Sequence, residues 1–143
     1  MFDQDSDYIF GIFDSSDSQV IGGTGLHLRR GPHAFEIGYW IAADAISQGY
    51  ATEAIVALVG VGLEYCQRER IEIHCDPLNV RSAAIPSKLG FVHEATRRGT
   101  CEGLNDADRR DEMIWTLLHR EYDSWPHRSA AVTAFDAAGR QVI

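Results

Sequence analysis

The sequence predicts an α+β domain: a mixed, mostly antiparallel sheet with helices packed on it. Three observations carry that reading. Strand-like and helix-like segments follow one another as β β β α β α β β, with a β-hairpin pattern at the end. A tight polar turn joins the first two strands, which makes them an antiparallel hairpin. A helical segment joins the third strand to the fourth, which makes that pair parallel. At 143 residues the chain is expected to form one domain over 1–143, with no internal repeat and no linker long enough to split it.

Tyr8 to Phe13 is rich in β-prone residues, and Asp14-Ser15-Ser16-Asp17-Ser18 is a turn by composition. Gln19 to Arg29 returns as the second strand, where its glycines predict a bulge or a close backbone approach. Phe35 to Ile41 is the third, with Phe35, Ile37, Tyr39 and Ile41 on one face and Glu36, Gly38 and Trp40 on the other. Ala51 to Cys66 repeats apolar residues at helical spacing, with Gly60 and Gly62 placed for close packing. Ile71 to Asp76 alternates as the fourth strand, and Pro77 ends it. Asn79 to Leu89 is a second helix, capped by Asn79 or Ser82, interrupted by Pro86 and stopped by Gly90. Phe91 to Thr96 and Met113 to Leu118 are further strands, separated by a polar loop from Gly99 to Asp108. The tail 127–143 is expected to hold a small hairpin turning near Gly139.

Composition narrows the function. A net charge of −8 argues against a general nucleic-acid binder and is compatible with a cationic substrate. No run of about 18 apolar residues occurs, and the acidic start lacks the form of a signal peptide. Three widely spaced cysteines fit neither a disulfide framework nor a zinc pattern, so a reducing cytoplasm is expected. The six histidines form no HxxxH or similar cluster, and no metal is expected.

Two places carry chemistry. Ile46-Ser47-Gln48-Gly49-Tyr50-Ala51-Thr52-Glu53-Ala54 is a strand–turn–helix junction with small residues at the turn. Such a junction leaves backbone N–H groups at the positive end of a helix dipole, which is a cradle for phosphate or simply a loop entering a helix. Glu36 is an acid inside an apolar strand, so it faces water, meets a partner, or sits in a site.

Glu36-Ile37-Gly38-Tyr39-Trp40-Ile41, Gln48-Gly49-Tyr50-Ala51-Thr52-Glu53-Ala54, and Asn79-x-x-Ser82 with Lys88-Leu89-Gly90-Phe91 stand in this order along the chain. Together they resemble the GNAT superfamily of acetyl-CoA-dependent N-acetyltransferases, in its RimJ/RimL-like branch, over about Tyr8 to Tyr122. The resemblance implies a central parallel strand pair, 35–41 and 71–76, splayed for coenzyme A. It implies that the amides of Gln48, Gly49, Tyr50, Ala51 and Thr52 hold the cofactor pyrophosphate. It also implies that the backbone from Ile37 through Gly38, Tyr39 and Trp40 to Ile41 pairs with the pantetheine arm, which Asn79 would also bond, with Ser82 and Lys88 completing the site. Two positions depart from the family's turn motif: Ile46 stands where Arg or Gln is usual, and Ser47 where the first glycine is usual. Weaker cofactor binding is expected from that.

The implied reaction is direct attack of an amine on the thioester. Glu36 is the candidate base, against a role as a structural partner, and Ser82 the candidate proton donor to the thiolate, against a helix-cap hydroxyl. Amides near Gly38 to Ile41 would stabilise the oxyanion. The acceptor implied by the branch is a protein N-terminal α-amine, with a polyamine or aminoglycoside as the alternative and a non-catalytic acyl-CoA-binding domain as the third reading. Seven residues precede Tyr8, so the strand and helices that open this fold are expected to be missing. Glu72 and His74 would then lie on a face left uncovered or filled by something else, and the tail hairpin or a second subunit of a homodimer would cover the vacated edge.

Overall fold

The computed structural model describes residues 7–29, 31–101, 109–128, 132–136 and 138–143. Six strands form one sheet in the order β1-β2-β3-β4-β6-β5. Strands β1 (Asp7–Phe13), β2 (Val20–His27) and β3 (Ala34–Ile41) form an antiparallel meander. Helix α1 (Tyr50–Gly60) crosses over to β4 (Arg70–Cys75), which runs parallel to β3 as the crossover requires. Helix α2 (Val80–Lys88) leads to β5 (Val92–Cys101) and β6 (Arg110–Leu118), and β6 pairs antiparallel with both β4 and β5. A single-turn helix α3 (His119–Tyr122) follows.

The pairing of β3 with β4 decides what the fold can do. It covers Ala34 with Arg70, Phe35 with Ile71 and Glu36 with Glu72, and stops there. β4 continues to Cys75 against β6, and β3 continues to Ile41 against β2, so the two strands part.

One sheet face takes the helices. Phe35 and Ile37 from β3, Ile71 and Ile73 from β4 and Leu117 from β6 pack with Ile55, Leu58, Val59 and Leu63. Leu89, Phe91, Tyr122 and Trp125 close the same core. The expected helix 51–66 is in fact α1 followed by one π turn over Val61–Tyr65, where the Cys66 N–H reaches back to Val61 C=O. The cause is Gly62. A Cβ there would lie 2.5 Å from Ile71 Cδ1 and 3.5 Å from the Phe35 ring, so the backbone itself packs on the sheet.

The opposite face is not bare. Glu72 is only 5% exposed, with Arg70 Nε 3.0 Å and His74 Nε2 2.7 Å from its carboxylate oxygens. His74 Nδ1 in turn lies 3.3 Å from Glu112 and 3.9 Å from Glu36. The filling is the chain's own charge network. The tail corrects another expectation, because no strand from it joins the sheet among the described residues. Phe135 bridges Gln141 around a turn at Gly139, as its pattern predicts, while Val132 and Ile143 line a hollow with Val61, Tyr65 and Tyr122 instead. The polar loop lies mostly at 102–108, outside the described residues, and β5 extends through Gly99 to Cys101. No helix among the described residues is long and apolar enough to cross a membrane.

Candidate active site

A cleft of about 650 Å³ opens where β3 and β4 part. Its floor is the outer end of β3, from Tyr39 to Ile41. Ala42 donates its N–H to Ile21 of β2, so by the strand's period of two Gly38 and Trp40 also turn to β2. Ile37, Tyr39 and Ile41 therefore turn their N–H and C=O groups away from β2; the Glu36–Glu72 row still takes up the Ile37 N–H, and past it the groups of Tyr39 and Ile41 face the side that β4 has left. Among the described residues no strand pairs with this edge, and an edge of this kind can bond an extended amide-bearing chain.

The cleft ends on the turn before α1. Ser47 and Gly49 both take positive φ, 66° and 87°, and Gly49 is the N-cap, with no side chain bonding the first amides of the helix. A Cβ on Gly49 would meet nothing within 4 Å, so the strain of φ and not crowding calls for glycine. The free N–H groups at the start of an 11-residue helix are donors of the kind that can hold an anion. Ile46, Ser47, Gly49, Tyr50, Ala51 and Thr52 line this end of the cleft.

The far wall is α2. The Asn79 side-chain oxygen accepts from the Ser82 N–H at 3.2 Å, so Asn79 is the cap. Its Nδ2 has no partner among the described residues, and Asn79 is exposed at the border of the cleft. The Tyr39 hydroxyl donates to the Ser82 C=O at 2.9 Å. That carbonyl would ordinarily receive the N–H of residue 86, which is proline and has none, so the strand supplies the donor that the helix lacks. Burial, with Cys75 nearby, pushes the Tyr39 phenol above its ordinary value. At the mouth of α2, Asp76 accepts from the Leu78 N–H at 2.8 Å and from Arg110 at 2.9 Å, and these hold its carboxyl below the ordinary value.

Residues 1–92 match the acetyltransferase (GNAT) domain. The chain belongs to the GNAT acetyltransferase family. This GNAT domain is 31% identical to YdaF of Bacillus subtilis (strain 168) over 109 residues, 75% of this chain and 58% of that protein. It is 30% identical to the ribosomal protein uS5-alanine N-acetyltransferase of Escherichia coli (strain K12), over 80% of this chain and 59% of that one. The chain thus spans under two thirds of the length of these relatives. Among solved structures, a GNAT-family acetyltransferase from Bacillus anthracis superposes with a TM-score of 0.71 at 26% identity, covering 79% of this chain and 67% of that one. Spermidine N-acetyltransferase SpeG from Vibrio cholerae shares the fold, with a TM-score of 0.74 at 19% identity over 85% of this chain and 70% of that one.

Within the GNAT domain, Tyr39, Trp40, Ile41, Gly49, Tyr50, Ala51, Thr52, Asn79, Ser82 and Lys88 all border the cleft. Ile37, Gly38 and Gln48 do not: Ile37 is buried in the core, and Gln48 bonds its amide back to Asp44 C=O at 3.3 Å. Glu36 lies outside the cleft lining, on the charged face, with Arg29 at 4.0 Å and His74 at 3.9 Å. Sequence reasoning passed over Arg81, Ala84 and Ile85. With Lys88 they make an i, i+3, i+4, i+7 stripe on α2, a signal that was readable once one member was placed.

Proposed function

We propose that the domain transfers an acetyl group from acetyl-CoA to a primary amine, with a peptide N-terminal α-amine as the acceptor that fits best. The observation that carries this is the unpaired edge of β3 running into the uncapped amides of α1. The residues present suit the cofactor: the edge at Tyr39 and Ile41 for the pantetheine amides, Asn79 Nδ2 beside it, the α1 turn for the pyrophosphate, and Arg81 and Lys88 as cations within the same cleft. When bound, acetyl-CoA would supply an activated acetyl thioester, to which a neutral amine adds with release of the thiol.

The chain's own part is to hold the amine and manage its proton. At pH 7 a lysine amine with an ordinary pKa of 10.4 costs about 4.6 kcal/mol to deprotonate, and an α-amine at 7.7–8.0 only about 1 kcal/mol. One group of modest basicity is enough for the second case. Glu36, on the last paired row of β3 and β4, is proposed to meet the ammonium, directly or through water. Ser82 borders the cleft and is proposed as the donor to the departing thiolate. A small polyamine is the second reading, favoured by the carboxylates of Glu36, Glu72 and Glu112 gathered on one face.

Thiol release from acetyl-CoA across a panel of peptides and small amines tests the proposal. Turnover with unblocked peptides, and none with N-acetylated ones, is the expected result. Coenzyme A binding without turnover on any amine would leave a non-catalytic binder. Glu36→Gln is expected to lower kcat/KM for the amine about 10²-fold or more while coenzyme A affinity stays unchanged.

A further inference from the structure

The charged face holds a pair that the reading above does not use. His27, on β2, stands in register with Asp7 of β1 on one side and Glu36 of β3 on the other, so all three share a face. His27 Nδ1 is 2.5 Å from Asp7 Oδ1, and both side chains are mostly buried, 17% and 21% exposed. An ionised carboxylate only accepts, so Nδ1 carries the hydrogen and Nε2 of the neutral ring keeps its lone pair. No hydrogen-bond partner of Nε2 occurs among the described residues.

The position of that nitrogen is specific. A Cβ built on Gly25 would lie 2.8 Å from Nε2, and one built on Gly38 would lie 3.5 Å from it. The imidazole thus lies across the sheet in room left by two glycines, with its open nitrogen against Gly38. Gly38 is two residues past the last paired row of β3 and β4, where the strands begin to part. Glu36, by contrast, already faces Arg29 and His74, and His74 is shared with Glu72 and Glu112.

Resting on the acetyltransferase reading, we propose that His27 is the proton acceptor for the amine substrate, oriented by Asp7, and that Glu36 holds the ammonium by charge. In the step, one N–H bond of the ammonium breaks and an Nε2–H bond forms. The positive charge passes to the imidazolium, where the Asp7 carboxylate compensates it, and the amine keeps the electron pair with which it attacks. Asp7 acts through His27 and is a positioning residue. A merely structural role would be to tie the open end of β1 to β2.

The two roles separate by experiment. In nitrogen-15 histidine spectra of the free protein, His27 is expected as the Nδ1–H tautomer, and Asp7→Asn is expected to turn it into a mixture. His27→Gln is expected to lower kcat about 10²-fold or more with coenzyme A affinity and thermal midpoint kept, whereas Glu36→Gln raises KM for the amine more than it lowers kcat. Imidazole added to His27→Ala is expected to restore turnover by about tenfold or more, which a lost structural tie would not allow. An Nε2–H tautomer in the free protein, or undiminished kcat in His27→Gln beside an active wild type, overturns the assignment alone. A wild type that binds coenzyme A and turns over no amine overturns the transferase reading and this role with it.

Discussion

Tyr39 shows how one side chain ties two walls of the cleft together. Its ring borders the cleft, its backbone belongs to the open edge of β3, and its hydroxyl satisfies the Ser82 carbonyl that Pro86 cannot reach. Removing the hydroxyl leaves a carbonyl short of its donor, which costs about 1–3 kcal/mol when the group is shielded from water. Tyr39→Phe is therefore expected to lower the unfolding free energy, read from urea titration at pH 7, by that amount. The raised phenol pKa adds a pH dependence whose sign is fixed. Folding favours the protonated phenol, so this stability is fully present below the ordinary value of 10.0 and is lost as pH rises beyond it. The wild type should lose more stability above pH 10 than Tyr39→Phe does, and equal alkaline losses would show that the phenol is not held in this way.

At the scale of elements, Asp76 is the joint where β4, α2 and β6 meet. Its backbone C=O accepts from the Asn79 N–H at 2.9 Å, and its carboxylate accepts from Leu78 and from Arg110. The Leu78 N–H first, and Arg110 second, lower its pKa from 3.8. The stability it contributes is present above that value and is lost as pH falls through the lower folded value. Asp76→Asn is expected to be less stable than the wild type at pH 7 and to lose less on acidification below pH 4, as read from thermal midpoints. The end of β4 and the cap of α2 were legible in the sequence, because Asp76-Pro77 and Asn79-x-x-Ser82 are local signals, whereas the bond from Arg110 to Asp76 is not local. The π turn was not, since Gly60 and Gly62 mark a weak point but the contact with Ile71 sets its geometry. β5 was cut short at Thr96 because it is an edge strand and its polar run Arg97-Arg98-Gly99-Thr100 reads as loop. The burial of Glu72 was hidden too, because its surroundings include Glu112, forty positions away.

The whole molecule sets a further condition on the cleft. At a net charge of −8 the chain repels any anion at long range, yet the proposed ligand is a phosphate-rich anion. Binding then depends on local donors: the amides of α1, and the two cations Arg81 and Lys88 on one stripe of α2. Hydrogen bonds to charged groups are worth about 1.5–3 kcal/mol each, so changing both cations to glutamine is expected to weaken coenzyme A binding about tenfold or more. The sign of the salt response is the sharper test. In the wild type, added salt weakens close cation–phosphate contacts, so affinity is expected to fall as salt rises. In the Arg81→Gln, Lys88→Gln variant these contacts are gone and the long-range repulsion remains, and salt screens it over a Debye length of about 10 Å at 0.1 M. Its affinity should therefore rise with salt over the same range. Titration calorimetry of both proteins with coenzyme A at low and moderate ionic strength reads this directly. A variant whose affinity still falls with salt would place the phosphates on cations other than these two.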